Sequence, residues 1–189
     1  MRTVLALTVA LASLGPLVVR AQGDPYADLN AARSAFARVQ SARAVQTFSN
    51  GEVATVSYQA PDRYRIVLPT SQVIFAGNVE YGKKSGMSWV KMPNAPRYKL
   101  IVENLWQFAG DPAIDVRQLD KVTPLGTRTV GGVTLRGYRL QSIPDGRLKT
   151  VWIGPENLPV DVQIDLGGDR TVSVHYMDYN APLYIGTPL

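Results

Sequence analysis

Most of the chain beyond Ala44 alternates apolar with polar positions, while two stretches, near 25–42 and 98–110, carry apolar residues at steps of three and four. The alternation has the period of a half-buried strand and the wider steps that of an amphipathic helix. Asp24-Pro25 is a helix start, because aspartate caps free amide groups and proline suits the first helical position. Leu29, Ala32, Phe36, Val39 and Ala42 then predict a helix from about Pro25 to Ala42. Its apolar stripe is narrow, so it should lie against a sheet, since a lone helix of this kind is marginal in water.

Val45 to Phe48 leads into Asn50-Gly51, the strongest short hairpin signal, and Glu52 to Gln59 follows. Arg63 to Leu68, Gln72 to Ala76, Asn78 to Lys83 and Ser88 to Met92 read as further strands. One face of each clear strand is apolar and the other largely polar, which predicts a sheet solvated on one side. The segment Tyr98 to Gly110 breaks the pattern with Ile101, Leu105 and Phe108 at helical spacing, Trp106 beside them and Gly110-Asp111-Pro112 as a stop. Strands resume at Lys121 to Thr129, Val133 to Ile143, Leu148 to Ile153, Val160 to Asp165 and Thr171 to Asp178. Short Gly, Pro and Asp turns separate them, the grammar of one antiparallel meander.

The predicted order is one helix, five or six strands, a short apolar helix, then about five strands. A continuous antiparallel sheet of that many strands curls as twist accumulates. The expected fold is therefore mainly β (α+β): a curved antiparallel sheet forming an incomplete half-barrel. The N-terminal helix and the short apolar helix would cover its concave face.

The first residues change where this sheet should reside. Arg2 precedes an apolar run from Val4 to Val19, broken by Gly15-Pro16, and Val19 and Ala21 suit the small positions before a cut. Residues 1–21 are expected to be a secretory signal peptide, and residues 22–189 one domain outside the cytoplasm, periplasmic or otherwise extracytoplasmic. The apolar run is shorter than a membrane span, and no cysteine follows it to accept lipid. The chain has no cysteine at all, which removes disulfides and thiolate chemistry. Its formal charge of +5 arises from basic residues spread without a run of five, which argues against nucleic acid and allows at most transient contact with an anionic membrane surface.

The segments VSYQAPDRYRI (56–66), VIFAGNVEYGKKSGMSWVKMP (73–93), TVWIGPENLPVDVQI (150–164) and VHYMDYNAPLYIGTP (174–188) resemble, in order and spacing, the LolA-like superfamily of lipoprotein carriers and related lipid-binding proteins. The resemblance implies an exported half-barrel with an apolar concavity, lidded by helices, that holds acyl chains or another hydrophobic ligand. It points to no particular ligand. The expected ligand wall is Val56, Tyr58, Tyr64, Ile66, Leu68, Phe75, Trp89, Tyr138, Leu140 and Trp152, with Leu105, Trp106 and Phe108 as the lid. Which strand face is concave is inferred, and a slip of one residue inverts the set.

Catalytic chemistry finds little support. His175 is the only histidine, with Ser173 at i−2, and no Gly-x-Ser-x-Gly elbow accompanies it. Zinc would need three clustered carboxylates, and none stand at ligand spacing. Asp161, Gln163 and Asp165 share a strand face, with Asp169 in the next turn, as a solvated strand does without any ligand. The Gly-Gly pairs at 131–132 and 167–168 precede no helix and read as turns. The expected function is a non-enzymatic carrier or binding protein for lipid or a lipoprotein acyl chain, without cofactor or metal. The alternative is an envelope regulatory or scaffolding module that binds another protein through the curved sheet.

Overall fold

The computed structural model describes residues 23–92, 96–106, 108 and 113–188. The expected signal peptide and the Gly110-Asp111-Pro112 stop signal lie outside the described residues. The elements in chain order are α1 (Pro25–Phe36), β1 (Ser41–Phe48), β2 (Val53–Gln59), β3 (Arg63–Leu68), β4 (Ser71–Ala76), β5 (Val79–Lys84), β6 (Val90–Met92), α2 (Pro96–Trp106), α3 (Val116–Leu119), β7 (Asp120–Val130), β8 (Val133–Ser142), β9 (Leu148–Ile153), β10 (Pro159–Gly167) and β11 (Arg170–Met177). The four-residue α3 was not legible in the sequence. The two runs of strands on either side of α2 number six and five, as expected.

All of these strands form one antiparallel sheet in the order β6-β5-β4-β3-β2-β1-β11-β10-β9-β8-β7. Each half is a meander, and β1 pairs with β11 from Arg43↔Met177 to Phe48↔Val172 to join them. The sheet is open, with β6 and β7 at its ends, and the ladder of β7 shifts register between Pro124 and Gly126. This is the expected half-barrel, with helices on one face.

The N-terminal helix is shorter than expected. Asp24 accepts from the Tyr26 N–H at 3.0 Å and Pro25 occupies the first turn, but the helix ends at Phe36. Val39 and Ala42 are buried nonetheless, Ala42 in β1 opposite Tyr58. Another helical turn would cost β1 its first pairings with β2, Ser41↔Gln59 and Ala42↔Tyr58, and backbone ladder bonds outweigh a continued apolar stripe.

Cross-strand register builds the core in rows. Gln46, Val174, Val162, Val151 and Tyr138 are successive partners across β1, β11, β10, β9 and β8, and Ala44, Val56, Ile66 and Val73 run the other way across β1 to β4. All are buried, and α1 lays Leu29, Ala32 and Phe36 on them while α2 lays Ile101 and Leu105. Each fully buried side chain of this size contributes about 1.5–3 kcal/mol. Polar bonds fix α1 at the β7–β8 end: Asp28 accepts from the Tyr138 hydroxyl and pairs with Arg136 at 2.7 Å.

The opposite face carries its own ladder. Trp152 lies over Gly137, the Arg128 guanidinium stacks on it at 4.2 Å, and Arg128 also pairs with Asp161. A Cβ added at Gly137 would stand 2.5 Å from the Trp152 ring. Gly137→Ala should therefore lift the indole from the sheet and destabilise the fold by about 1–3 kcal/mol. Urea unfolding should show a lower midpoint at unchanged slope; an unchanged midpoint would show that the ring moves freely.

Candidate functional site

The site lies where α2 crosses the β1–β6 half of the covered face. α2 runs from Pro96 to Trp106. Two buried polar side chains of the sheet then bond its backbone: Gln46 Nε2 donates to the Ile101 carbonyl at 2.8 Å, and the Tyr176 hydroxyl to the Leu105 carbonyl at 2.7 Å. The second bond satisfies a carbonyl in the last helical turn, where intrahelical donors run out. Trp106 Nε1 donates to the Tyr64 hydroxyl at 2.9 Å, and its ring sits 4.9 Å from Phe36 and 4.7 Å from Tyr58, nearly perpendicular to the latter. The C-terminal half of α2 is thus fastened to the sheet.

Its N-terminal half borders open space. A cleft of about 760 Å³ is bounded by β4, β5, β6 and α2, with Val73, Val90, Met92 and Tyr98 as apolar wall and Lys83, Lys84, Ser71 and Ser88 as polar rim. Gly82 makes room there, opposite Val73 on β4 and Val90 on β6, and Met92 fills the volume a side chain would take. A second cleft of about 330 Å³ lies beside Lys99 and Val102 of α2, against Asp62, Tyr64, Phe75 and Glu80. At the β7–β9 end a smaller pocket of about 150 Å³ is bounded by Phe108, Leu140 and Val151 together with Arg33, Asp120 and Lys149. Burial pushes the Asp120 carboxyl above its ordinary range, and the cations Lys149 and Arg33 oppose the shift.

The structure brings eight of the ten expected wall residues to the covered face. Val56, Tyr58, Ile66, Leu68, Tyr138 and Leu140 are buried in the core, while Tyr64 and Phe75 border the second cleft. It does not bring Trp89 and Trp152 there. Trp152 pairs across β8 with Gly137 and so faces away from Val151 and Tyr138, and Trp89 precedes β6 and lies against Lys83. Of the expected lid, Leu105 and Phe108 are buried and Trp106 is half-buried, all three packed among core side chains. Val73, Val90, Met92 and Tyr98 were missed, although Val73 shares a face with Phe75 by simple alternation.

His175 is on the uncovered face. Its Nδ1 stands 2.6 Å from Asp161 Oδ1, Asp161 also holds Arg128, and Ser173 lies on the same face beside a groove of about 280 Å³. Among the described residues no group of His, Asp and Glu is arranged to hold a metal ion.

The fold is an open antiparallel sheet with helices laid on one face. Two solved structures share the arrangement. The lipoprotein LppX of Mycobacterium tuberculosis is 16% identical over 85% of this chain and 97% of its own, with a TM-score of 0.63. LprF from Mycobacterium bovis is 17% identical over 86% of this chain and 96% of its own, with a TM-score of 0.62. No protein-family model and no curated protein sequence matches the chain. At such identities the likeness is one of fold.

Tyr176→Phe should leave the Leu105 carbonyl without its buried donor and cost about 1–3 kcal/mol in chemical denaturation, where a loss below 0.5 kcal/mol would mean that the bond does not fasten α2. Burial pushes the Tyr64 phenol up to about 12, and burial together with the bond to Asp28 pushes Tyr138 to about 12 as well. Both folded values exceed the ordinary 10.0, so the stability they confer is complete below pH 10 and is lost as pH rises through 12. Phenolate absorbance recorded alongside unfolding should show Tyr64 and Tyr138 among a late-titrating set with Tyr58, Tyr176 and Tyr179, whose phenols burial also pushes up, with stability falling as pH rises above 10.

Proposed function

We propose that this chain is an exported, non-enzymatic carrier or binding protein for lipid or acyl chains, acting in the cell envelope, periplasmic or otherwise extracytoplasmic. Residues 1–21 would be removed on export, and residues 22–189 would act as a single domain without cofactor or metal. The observation that carries this reading is the cleft of about 760 Å³ beside α2, walled by Val73, Val90, Met92 and Tyr98. Its volume falls in the range of about 300–1,000 Å³ typical of small-ligand sites, and a sheet face already specialised for apolar packing continues into it. The shared fold with LppX and LprF supports the reading. Among the described residues no helix is long and apolar enough to cross a membrane.

The mechanism is exclusion of water from an acyl chain, which stabilises the complex by about 0.8 kcal/mol per buried methylene. Because the C-terminal half of α2 is bonded to Gln46, Tyr176 and Tyr64, the chain would slide in beside the N-terminal half, along β4–β6. Trp106 and Leu105 need not leave the core. Tyr64 and Phe75 in the second cleft would take a longer or second chain, and Val56, Tyr58, Ile66 and Leu68 form the packed floor.

Native mass spectrometry of the exported protein should reveal bound lipid, or uptake of offered fatty acid by the stripped protein. Gly82→Val should drive Met92 into the cleft, since an added Cβ would stand 2.4 Å from its sulfur, and that thioether is free to swing. Displacing roughly two methylenes of a ligand should weaken uptake about tenfold with little change in unfolding midpoint. Recovery without lipid and without uptake of any offered acyl chain would overturn the reading.

A further inference from the structure

We propose that the larger cleft selects amphiphiles with an anionic head, held by the ammonium group of Lys84 and the hydroxyl of Ser71 opposite it, while the tail lies along Val73, Val90, Met92 and Tyr98. The inference rests on the lipid-binding reading above and adds the chemistry of the head group. Register separates the two ends. Val73, Gly82 and Val90 are successive partners across β4, β5 and β6, and the next row on the same face is Ser71 opposite Lys84. Two residues along a strand span roughly 7 Å, so the cation stands one row beyond the apolar wall, as a head group stands beyond the first methylenes.

Charge decides the sign of the head. The wall of this cleft holds Lys83 and Lys84 and no carboxylate. Among the described residues neither lysine has a carboxylate at ion-pair distance; Lys83 Nζ instead lies 5.1 Å from the centre of the Trp89 ring. The second cleft differs, with Asp62 and Glu80 beside Lys99. A neutral head would leave the Lys84 ammonium group uncompensated at the mouth of an apolar slot, whereas a carboxylate or phosphate would pair with it and accept from the hydroxyls of Ser71, Thr70 and Ser88.

The test titrates the delipidated full chain at low salt with dodecanoate, 1-dodecanol and inorganic phosphate, by calorimetry. One partly exposed ion pair reinforced by hydroxyl bonds should make dodecanoate bind roughly three- to tenfold tighter than the alcohol, an advantage lost in high salt. Phosphate alone should not bind measurably. Lys84→Gln should bring acid and alcohol within about twofold of each other, because the Coulombic part is removed, whereas Lys83→Gln, on the other face of β5, should keep the preference for the acid. Equal affinity for acid and alcohol in the parent protein overturns the head-group assignment and leaves lipid binding intact. Phosphate binding as tightly as dodecanoate overturns it in favour of a bare anion site. Failure of both the acid and the alcohol to bind overturns the head-group assignment and lipid binding together.

Discussion

The pairing of β1 with β11 is the contact on which everything else rests. Each meander is assembled from neighbours in sequence, but residues such as Arg43 and Met177 meet only when the two halves join. That seam converts two half-exposed sheets into one surface wide enough for both helices. It also places Gln46 and Tyr176, on the two strands of the seam, beneath α2, where they bond the Ile101 and Leu105 carbonyls. A helix positioned from the seam covers the centre of the face and leaves its margin toward β6 uncovered.

The contrast between the two halves follows from what covers each. On the β8–β11 half, α1 fills the concavity with Leu29, Ala32 and Phe36, and polar bonds from Asp28 to Arg136 and Tyr138 lock it against the sheet. On the β3–β6 half the inner row of β5 is small or polar, with Glu80, Gly82 and Lys84 between Val73 of β4 and Val90 of β6. Space is left where side chains run out. An unfilled region beside a rigid one suits binding, because a ligand gains most from a surface that need not reorganise to receive it.

Much of this was legible in the sequence. The two runs of strands, the hairpin at Asn50-Gly51, the start of α1 and the existence of α2 all follow from period and turn chemistry. Val39 and Ala42 misled because their spacing of three continues the helical stripe, although Val39 is buried in the connection after α1 and Ala42 on the inner face of β1. Trp152 misled for a related reason: Val151, Trp152 and Ile153 are all apolar, so alternation does not say which face is covered, and Gly137 beneath the indole is visible only once the strands are paired. Tyr64 and Phe75 of the second cleft were among the expected wall, but no lining residue of the larger cleft was. An unfilled volume is the difference between the room that pairing creates and the side chains that reach into it, and no single residue encodes that difference.

An open sheet leaves two borders with unpaired backbone groups, the template for runaway growth into fibrils by recruiting further copies. Here one border, β6, is only three residues long and carries Lys91. The other, β7, is long, but Pro124 offers no amide proton and the register shift before Gly126 bends the ladder out of a straight line. Neither border presents a flat, self-templating rim, so the half-barrel can stay permanently ajar without polymerising.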